Sequence, residues 1–431
     1  MLNLVSNGLA HGAATEAADV VASSTPGYEF SPTHDLVLWA QGCVTDCLSI
    51  TGELPGWVVA IIAVHIAFAV AMGIVSIFAA LGTLAERKVS GHIQCRNGPM
   101  RAGWHDILQP IADGVKLMLK EDMIPVGADR ILFLLSPSLV LASLLAAMAV
   151  FPLAPDFYFA DVNLGLFAIL ALTSTTTIGV IMAGWSSNSK WSLFGAMREA
   201  AQVVAYEIPL GLSLLVPLIV CGTFNLLEVS DQQAGAFGIF GWYIFRNPIM
   251  IPAFVLFFIA ILAETKRAPF DLPEAESELV AGFLTEYSGI RWSFFFMEEY
   301  AAMFLYCAVG GFFFFGGFES PLTSFVRDSG WIWETAGVSP GGAPLMATTG
   351  GKIALTLAAA IGIVGKGSAG IFLMMWIRWT LPRVRIDQVM TMGYKYLTPI
   401  ALLCVLLTGL WEAVIWPNIF DPIWPDFMSW E

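Results

Sequence analysis

A chain of 431 residues is long enough for two or three soluble domains, but its composition excludes them. Hydrophobic residues make up 57% of the chain, charged residues only 13%, and the mean hydropathy is +0.74, whereas soluble domains are about 45–50% apolar and about 25% charged. Intrinsic disorder and nucleic-acid binding are also excluded, because the chain is apolar and has 20 Lys and Arg against 34 Asp and Glu. We therefore predict an all-α polytopic membrane protein.

Eight apolar stretches are separated by polar connections, which predicts about eight transmembrane helices. A helix needs about 20 apolar residues to cross a hydrocarbon core of about 30 Å. Six stretches meet this requirement; the fourth begins indistinctly, and the fifth is short unless it gains length from the apolar run 237–245 or packs against its neighbours. The stretches are roughly 57–84, 131–151, 164–185, 203–221, 249–263, 292–318, 353–377 and 397–416.

Positive charge is concentrated in every second connection and predicts the orientation. The connections after the first, third, fifth and seventh stretches hold 16 of the 20 Lys and Arg residues, so the positive-inside rule makes them cytoplasmic and places both termini outside. We expect a multi-pass protein of a bacterial inner membrane, with residues 57–418 as its membrane domain. The periplasmic parts are then the N-terminal extension 1–56, the enlarged loop 319–352 and the tail 419–431.

The cysteines do not form a cofactor motif. Cys43 and Cys47 lie at a helical spacing on the predicted outer side, where a disulfide or a metal pair is conceivable, but two thiols without a nearby histidine make a poor metal site. An iron–sulfur cluster needs four clustered ligands, and the chain has neither a P-loop nor a dinucleotide-binding motif. The remaining cysteines are interpreted as small apolar residues in the packing: Cys95, Cys221, Cys307 and Cys404.

The first long cytoplasmic loop, residues 86–130, contains a predicted amphipathic helix. From Ile107 to Leu119 the apolar residues follow helical spacing, with aspartates and lysines around them. Such a helix is suited to lie at the membrane surface, where it lines an opening for an amphiphilic ligand. The alternative is a plain interfacial strut.

The second long cytoplasmic loop, residues 264–291, is strongly acidic and is called the acidic loop below. Lys266 and Arg267 are its only cations near the acids, and crowded carboxylates repel one another, which favours protonated forms near neutral pH and suits proton relay. The alternative is a solvated loop, but two prolines and the aromatic residues Phe270 and Phe283 favour a packed one. The acids are Glu264, Asp271, Glu274, Glu276, Glu278 and Glu286.

Acidic residues also occur inside the predicted spans. Intramembrane ionisable residues are costly and indicate an ion pathway by default, although each of them is also compatible with a hydrogen-bonded structural role. Glu207 and Glu299 lie near the cytoplasmic ends of their helices and, with Glu264, form a candidate carboxylate path. Glu298 and Glu412 are further acids of this kind, and Lys366 is interpreted as a helix-packing residue.

Four groups of residues together resemble the NuoH family, the membrane subunit beside the quinone site of respiratory complex I. In the first loop these are Glu-Arg-Lys at 86–88, Arg-Asn-Gly-Pro at 96–99 and Gln-Pro-Ile-Ala-Asp at 109–113. The acidic loop matches over 264–283, and two further motifs lie at 195–207 and 378–388. The resemblance spans roughly residues 57–418, and its motifs are long and charged within an apolar chain.

The resemblance implies roles for individual residues. The acidic loop would fold into the quinone cavity, with Asp271, Glu274, Glu276 and Glu278 near the head group and Arg267 offsetting their charge and helping to place it. The proton channel would consist of Glu207, Glu264, Glu286 and Glu299. The quinone entrance would be bounded by Glu86, Arg87, Arg96 and Asp113. No catalytic residue, metal or cofactor is expected on this chain alone; quinone would be its substrate, and NAD, FMN and iron–sulfur clusters would lie on partner subunits.

Departures from the family and rival functions complete the prediction. Lys266 stands where the family usually has Asn, and Met100 where Asn is common.

The expected partners are the quinone-site peripheral subunits, neighbouring small membrane subunits, quinone and lipid, with no nucleic acid. The nearest rival is the equivalent subunit of a membrane-bound hydrogenase or formate-linked complex. A stand-alone proton or cation transporter would show inverted repeats, which are absent, and a simple anchor would not need so acidic a loop.

Overall fold

The computed structural model describes residues 56–155, 157–160, 162–233, 241–272, 276–328 and 349–414. Contacts divide the chain into residues 1–63 and 64–431, and the described part of the first unit is the beginning of helix α1. Cys43, Cys47, Glu274, most of the outer loop and the C-terminal tail lie outside the described residues, so the predictions made for them stay predictions. Within the described ranges there are helices and one isolated bridge, Ala154 to Phe157, but no strand.

The part of the chain that the structure describes forms fourteen α-helices. They are α1 Gly56–Ile93, α2 Gln109–Leu119, α3 Arg130–Val150, α4 Gly165–Ser186, α5 Lys190–Cys221, α6 Leu226–Gln233, α7 Tyr243–Arg246, α8 Met250–Glu264, α9 Glu276–Leu279, α10 Gly289–Phe314, α11 Pro321–Asp328, α12 Thr349–Thr380, α13 Ile386–Thr391 and α14 Thr398–Leu410. A π-helical segment, Met392–Leu397, joins α13 to α14 without a break.

Six helical segments are long and apolar enough to cross a membrane: Phe68–Ile93, Arg130–Val150, Gly165–Ser186, Lys190–Cys221, Ala354–Thr380 and Ile386–Val414. They correspond to six of the eight predicted stretches. The sixth stretch is α10, which has 26 residues but contains Glu298 and Glu299.

The fifth stretch is α8, with 15 residues, and the expected extension from 237–245 is wrong for its described part. Asn247 is extended, with φ −130° and ψ 122°, and precedes Pro248, which disfavours helical geometry at the residue before it. The short helix α7 therefore ends before α8 begins.

The outward surfaces of the long helices are apolar. On α14, Leu402, Leu403 and Leu406 are each at least half exposed, and α1 exposes Phe68, Ile77 and Leu81 in the same way. In water such continuous apolar faces would be unfavourable, whereas lipid solvates them. The chain is therefore a multi-pass membrane protein.

The acidic loop packs tightly against the beginning of α5. A Cβ atom at Gly195 would lie 2.7 Å from the Cα of Gly282 and 2.8 Å from the backbone nitrogen of Phe283, so glycine permits two backbones to touch. The buried hydroxyl of Ser192 also donates to the carbonyl oxygen of Phe283, at 3.3 Å. Further along the loop, the ring of Tyr287 stacks on Phe133 of α3, with ring centroids 4.1 Å apart. The loop is thus a packed part of the fold.

Candidate functional site: a buried cluster of cations and carboxylates

Arg267, three residues after the end of α8, binds carboxylates from two other helices. Its Nη1 donates to both oxygens of Glu86 of α1, at 3.1 and 3.0 Å, and its Nε lies 2.8 Å from Oε1 of Glu299 of α10. The residue is only 6% exposed. Burial alone would lower the pKa of Arg267, but the carboxylate charges of Glu299 and Glu86 outweigh that effect and raise it, so the guanidinium stays charged.

The carboxylate of Glu86 accepts two further hydrogen bonds. Nη1 of Arg378 of α12 and the hydroxyl of Tyr300 of α10 both donate to its carboxylate. The guanidinium of Arg267 also lies over the ring of Tyr300, 4.4 Å from its centroid, a cation–π geometry. Three helices and the acidic loop therefore meet at one carboxylate.

Lys266 points to a different pair of acids. Its Nζ lies 2.5 Å from Glu199 of α5 and 3.6 Å from Glu298 of α10. The side chain of Lys266 is 10% exposed and that of Glu199 is 1% exposed. Burial by itself would lower the pKa of Lys266, but the charges of Glu199 and Glu298 outweigh burial and raise it.

A second set of acids lies deeper among the helices. The hydroxyl of Tyr306 donates to Oε1 of Glu264 at 3.3 Å, and the hydroxyl of Ser174 donates to Glu207. Glu264 interacts electrostatically with Glu207, Lys266 and Glu298. The structure thus places Glu207 and Glu264 of the predicted channel near each other, whereas Glu299 lies with Arg267 at the cavity. Glu286 is half-buried and makes no ion pair with any residue that the structure describes.

A cavity of about 230 Å³ lies beside the cluster. Its wall comes from α1, the acidic loop, α10 and α12, and is largely polar. Thr83, Phe296 and Trp379 also contribute to the wall. Its charged lining residues are Glu86, Arg87, Lys266, Arg267, Asp271, Glu299 and Arg378.

Acids of the loop itself are paired with arginines from neighbouring elements. Oδ2 of Asp271 lies 3.2 Å from Nη2 of Arg383, and Oε2 of Glu278 lies 2.7 Å from Nη1 of Arg198. The hydrogen bond and charge of Arg198 lower the pKa of Glu278. The prediction that crowding keeps some of the loop acids protonated does not apply to Glu278, because an arginine from α5 offsets its charge. The side chain of Glu276 lies outside the described residues.

The structure corrects the role expected for Arg267 and agrees with the packing role expected for Lys366. Arg267 pairs with the helix acids Glu86 and Glu299, not with the acids of its own loop. Lys366 packs between helices and donates from Nζ to the carbonyl oxygens of Gly317 and Glu319, at 2.8 and 2.6 Å. Of the cysteines expected in the packing, Cys221, Cys307 and Cys404 are buried, but Cys95 is exposed in the turn after α1, where its φ of 54° places it in the left-handed region.

The predicted entrance residues lie in three different settings. Arg87 lies 2.6 Å from Asp113, which also binds Lys116 at 2.9 Å; this joins the end of α1 to α2. Burial alone would raise the pKa of Asp113, but the hydrogen bonds from Lys116 and Arg87 outweigh it and lower the pKa. Glu86 belongs to the buried cluster, whereas Arg96 is exposed and donates to Gln94 at 2.6 Å.

Helix α2 lies where the amphipathic helix was predicted. None of its residues is buried. Its apolar positions Ile111, Val115 and Met118 are between 51% and 70% exposed, and so form an uncovered apolar face beside the Arg87–Asp113 pair.

Several residues of the cluster were missed by sequence reasoning. Glu199 directly follows Gly-Ala-Met-Arg at 195–198, inside the matched stretch 195–207 but not among its matched residues, and Arg378 begins another matched motif. Tyr300 and Tyr306 follow Glu299 on α10 at positions that sequence alone does not separate from other aromatic packing residues. Glu298 was recognised as an intramembrane acid but not as a partner of Lys266.

Comparisons with known proteins give sequence relatives over most of the chain. The sequence model of the NADH dehydrogenase family matches residues 66–409. The NuoH subunit of NADH-quinone oxidoreductase from Chlorobaculum tepidum is 42% identical over 330 residues, covering 77% of this chain and 87% of the relative. The NuoH subunit of Anaeromyxobacter dehalogenans is 41% identical over 378 residues, with 88% of each chain covered. That of Geobacillus sp. is 41% identical over 358 residues, covering 83% of this chain and 96% of the relative.

The match to the family model spans nearly all of the described helices, and the names of the relatives favour complex I over the hydrogenase alternative. The chain therefore belongs to the NuoH family, whose members are a membrane subunit of NADH-quinone oxidoreductase, respiratory complex I.

Proposed function

We propose that this subunit forms part of the quinone cavity of the complex and couples quinone reduction to proton translocation through its buried carboxylates. The observation that supports this most directly is the cluster around Arg267, which borders a polar cavity and also contacts acids of three helices. Partner subunits would hold NAD, FMN and the iron–sulfur clusters and complete the cavity. The protein would lie in a bacterial inner membrane with eight spans, including α8 and α10, and with both termini periplasmic.

Arg267 has a donor available for a polar substrate group. Its Nη2 is buried and has no hydrogen-bond partner among the residues that the structure describes, and the residue lines the cavity. A buried donor without a partner is costly, and a carbonyl oxygen of a quinone head group has the required chemistry. Tyr300 and Glu86 would hold the guanidinium in place.

The charges of the cluster suit it to exchange protons. Lys266, Arg267 and Arg378 supply three positive charges, whereas five buried or nearly buried carboxylates surround them. Full ionisation would leave two uncompensated negative charges in a region of low dielectric, which is unfavourable. We therefore infer that the cluster holds protons and redistributes them when charge changes nearby. The five acids are Glu86, Glu199, Glu264, Glu298 and Glu299.

A series of neighbouring charged groups supports the proposed path. From the cavity it passes from the ion pair of Arg267 and Glu299 to Lys266 and Glu298, and then to Glu264, which interacts electrostatically with both. Glu298 and Glu264 line one small internal space together with Tyr306, and Glu264 interacts with Glu207. Reduction and protonation of quinone at the cavity would alter the field at the first of these groups, and each would pass the change to its neighbour.

The entrance is proposed at α1 and α2. The uncovered apolar face of α2 is suited to the membrane surface, and the Arg87–Asp113 pair fixes that helix to the end of α1. Arg87 also lines the cavity. An amphiphilic quinone would then enter from lipid between these helices.

The test uses membranes that contain the whole complex with Glu264→Gln or Glu207→Gln. We expect assembled complex, seen on a native gel, in which quinone reductase activity and proton pumping fall together. Glu228→Gln is the matched control, because Glu228 is an exposed carboxylate on α6, beyond the opposite end of α5. Assembled Glu264→Gln and Glu207→Gln complexes that reduce quinone and pump like the wild type would overturn the proposal.

A further inference from the structure

Lys266 and Glu199 depend on each other in the buried cluster. Both oxygens of Glu199 are buried and make no hydrogen bond to a described residue, so the ammonium of Lys266 at 2.5 Å is the partner that offsets its charge. The backbone of Lys266 has a φ of 56°, which lies in the left-handed region that non-glycine residues rarely adopt. An isolated buried carboxylate is strongly unfavourable, and the pair avoids it.

Lys266 also lies between two internal spaces. It lines the cavity of about 230 Å³ together with Glu86, Arg267 and Glu299. Its second partner, Glu298, lines the smaller space that contains Glu264 and Tyr306. The ammonium is thus the contact that joins the acids around the cavity to the acids among the helices.

The charged and titratable groups around Lys266 come from every element packed against it. Glu199 belongs to α5, Glu264 to α8, and Glu298 and Glu299 to α10, and Arg267 follows it in the chain. Phe283 contributes an aromatic face 5.8 Å away. The ammonium of Lys266 therefore attracts four carboxylates at once, and its attraction to Glu199, the nearest of them, is the strongest.

We infer that Lys266 is a positioning residue of the carboxylate path, and that Glu199 is the counter-ion that limits how strongly Lys266 stabilises the negative charge of Glu298. This inference rests on the proposed function. The pair would set the pH at which the path between the two spaces carries protons. Glu199 would act through Lys266 and would not itself contact the quinone.

The two members of the pair have opposite expected effects. Lys266→Met removes a positive charge, which disfavours ionised carboxylates nearby and moves the pH range over which proton pumping changes to higher pH. Glu199→Gln removes the anion that competes for Lys266, so that Lys266 stabilises the ionised form of Glu298 more strongly. The same pH range then moves to lower pH. We expect each shift to be about one pH unit, since neighbouring charges shift carboxylate equilibria by this order.

The experiment measures quinone reductase activity and proton pumping from pH 5.5 to 9 (an assay range of about 3.5 units, several times the expected shift) in membranes with each variant. Glu228→Gln, at an exposed position on α6, is the control, with a pH profile like that of the wild type. The double variant Lys266→Met with Glu199→Gln is expected to lie between the two single variants. If Lys266→Met does not assemble, the test is decided by Glu199→Gln against Glu228→Gln.

Opposite shifts support the inference. Shifts in the same direction, or a Glu199→Gln profile identical to that of the wild type, would overturn it and leave the pair a structural one. Failure of the proposed function is distinguishable, because Glu264→Gln and Glu207→Gln would then leave pumping intact at every pH.

Discussion

The Nη1 atom of Arg267 donates to both carboxylate oxygens of Glu86, at 3.1 and 3.0 Å, and so fixes the acidic loop to the first membrane helix. The same guanidinium reaches Glu299 through Nε at 2.8 Å. A lysine at this position keeps the charge but lacks the planar fork, and it cannot bind both acids in this way. The interaction of Arg267 with Glu86 therefore depends on the planar shape of the guanidinium as well as on its charge.

From this geometry we predict that Arg267→Lys assembles but loses quinone reductase activity by about tenfold or more, since charge-assisted hydrogen bonds contribute about 1.5–3 kcal/mol each. Activity is measured in membranes and normalised to assembled complex on a native gel. Arg96→Lys is the control, because Arg96 is exposed and outside the cluster. An Arg267→Lys complex with full activity would show that charge alone suffices.

Gln202 of α5 holds the two ends of the turn that carries Lys266 and Arg267. Its Nε2 donates to the carbonyl oxygens of Ala263 and Phe270, at 2.7 and 2.9 Å, in a buried setting. Gln202→Leu leaves both carbonyls without this donor, which costs about 1–3 kcal/mol. We predict faster thermal inactivation of the purified complex and lower activity, whereas Gln94→Leu, at an exposed position, leaves both unchanged. Equal inactivation rates for the two variants would contradict this role.

Gly195 is required because the acidic loop touches the backbone of α5. In Gly195→Ala the new methyl group would lie 2.7 Å from the Cα of Gly282, and backbone atoms cannot yield as a flexible side chain does. We predict that the loop is displaced, at a cost of about 1–3 kcal/mol, and that protease cleavage within it becomes faster. Gly211→Ala is the matched control on the same helix, because no other atom lies within 4 Å of a Cβ there. Equal cleavage rates in both variants would show that the loop does not depend on this contact.

Much of the fold follows from hydropathy, because lipid imposes long apolar segments. Six of the predicted stretches correspond to helices able to cross a membrane. The exceptions are the places where polar residues interrupt the pattern: Asn247 and Pro248 separate α7 from α8, and α10 contains two glutamates. Sequence periodicity also located α2. Its apolar residues recur at helical spacing, and this pattern does not depend on packing against another element.

The site was predictable in composition but not in pairing. The motifs placed Arg267, Glu264 and Glu299 in the candidate site, and the structure pairs Arg267 with Glu299. Which cation pairs with which acid depends on the packing of four helices. The sequence therefore did not show that Arg267 pairs with Glu86 and not with an acid of its own loop. Glu199 was missed for the same reason: its partner lies 67 positions away along the chain, and only the contact between α5 and the acidic loop joins them.

The pH dependence of α2 follows from the lowered pKa of Asp113. A group whose pKa is lower in the folded protein stabilises it above its ordinary pKa, and that contribution disappears as the pH falls through the lowered value. We predict that Asp113→Asn loosens α2 at pH 7, measured as faster backbone hydrogen exchange than in the wild type at the same pH. The difference should shrink in acid, as the pH falls below the ordinary aspartate pKa and through the lowered value, where the wild-type carboxyl also loses its charge. Glu228→Gln should show no difference at pH 7 or in acid, and a difference for Asp113→Asn that persists undiminished in acid would contradict this explanation.

The ion pair between Asp271 and Arg383 joins the acidic loop to the segment between α12 and α13, with Oδ2 and Nη2 3.2 Å apart. The side chains are 19% and 35% exposed, so the interaction is partly screened and contributes about 0.5–1 kcal/mol. We predict that Asp271→Asn and Arg383→Gln each accelerate thermal inactivation of the complex modestly, and that the double variant is no worse than the more affected single variant. A double-mutant cycle on inactivation rates measures this coupling. Strictly additive effects would show that the two side chains act independently, and that another contact holds the loop against this segment.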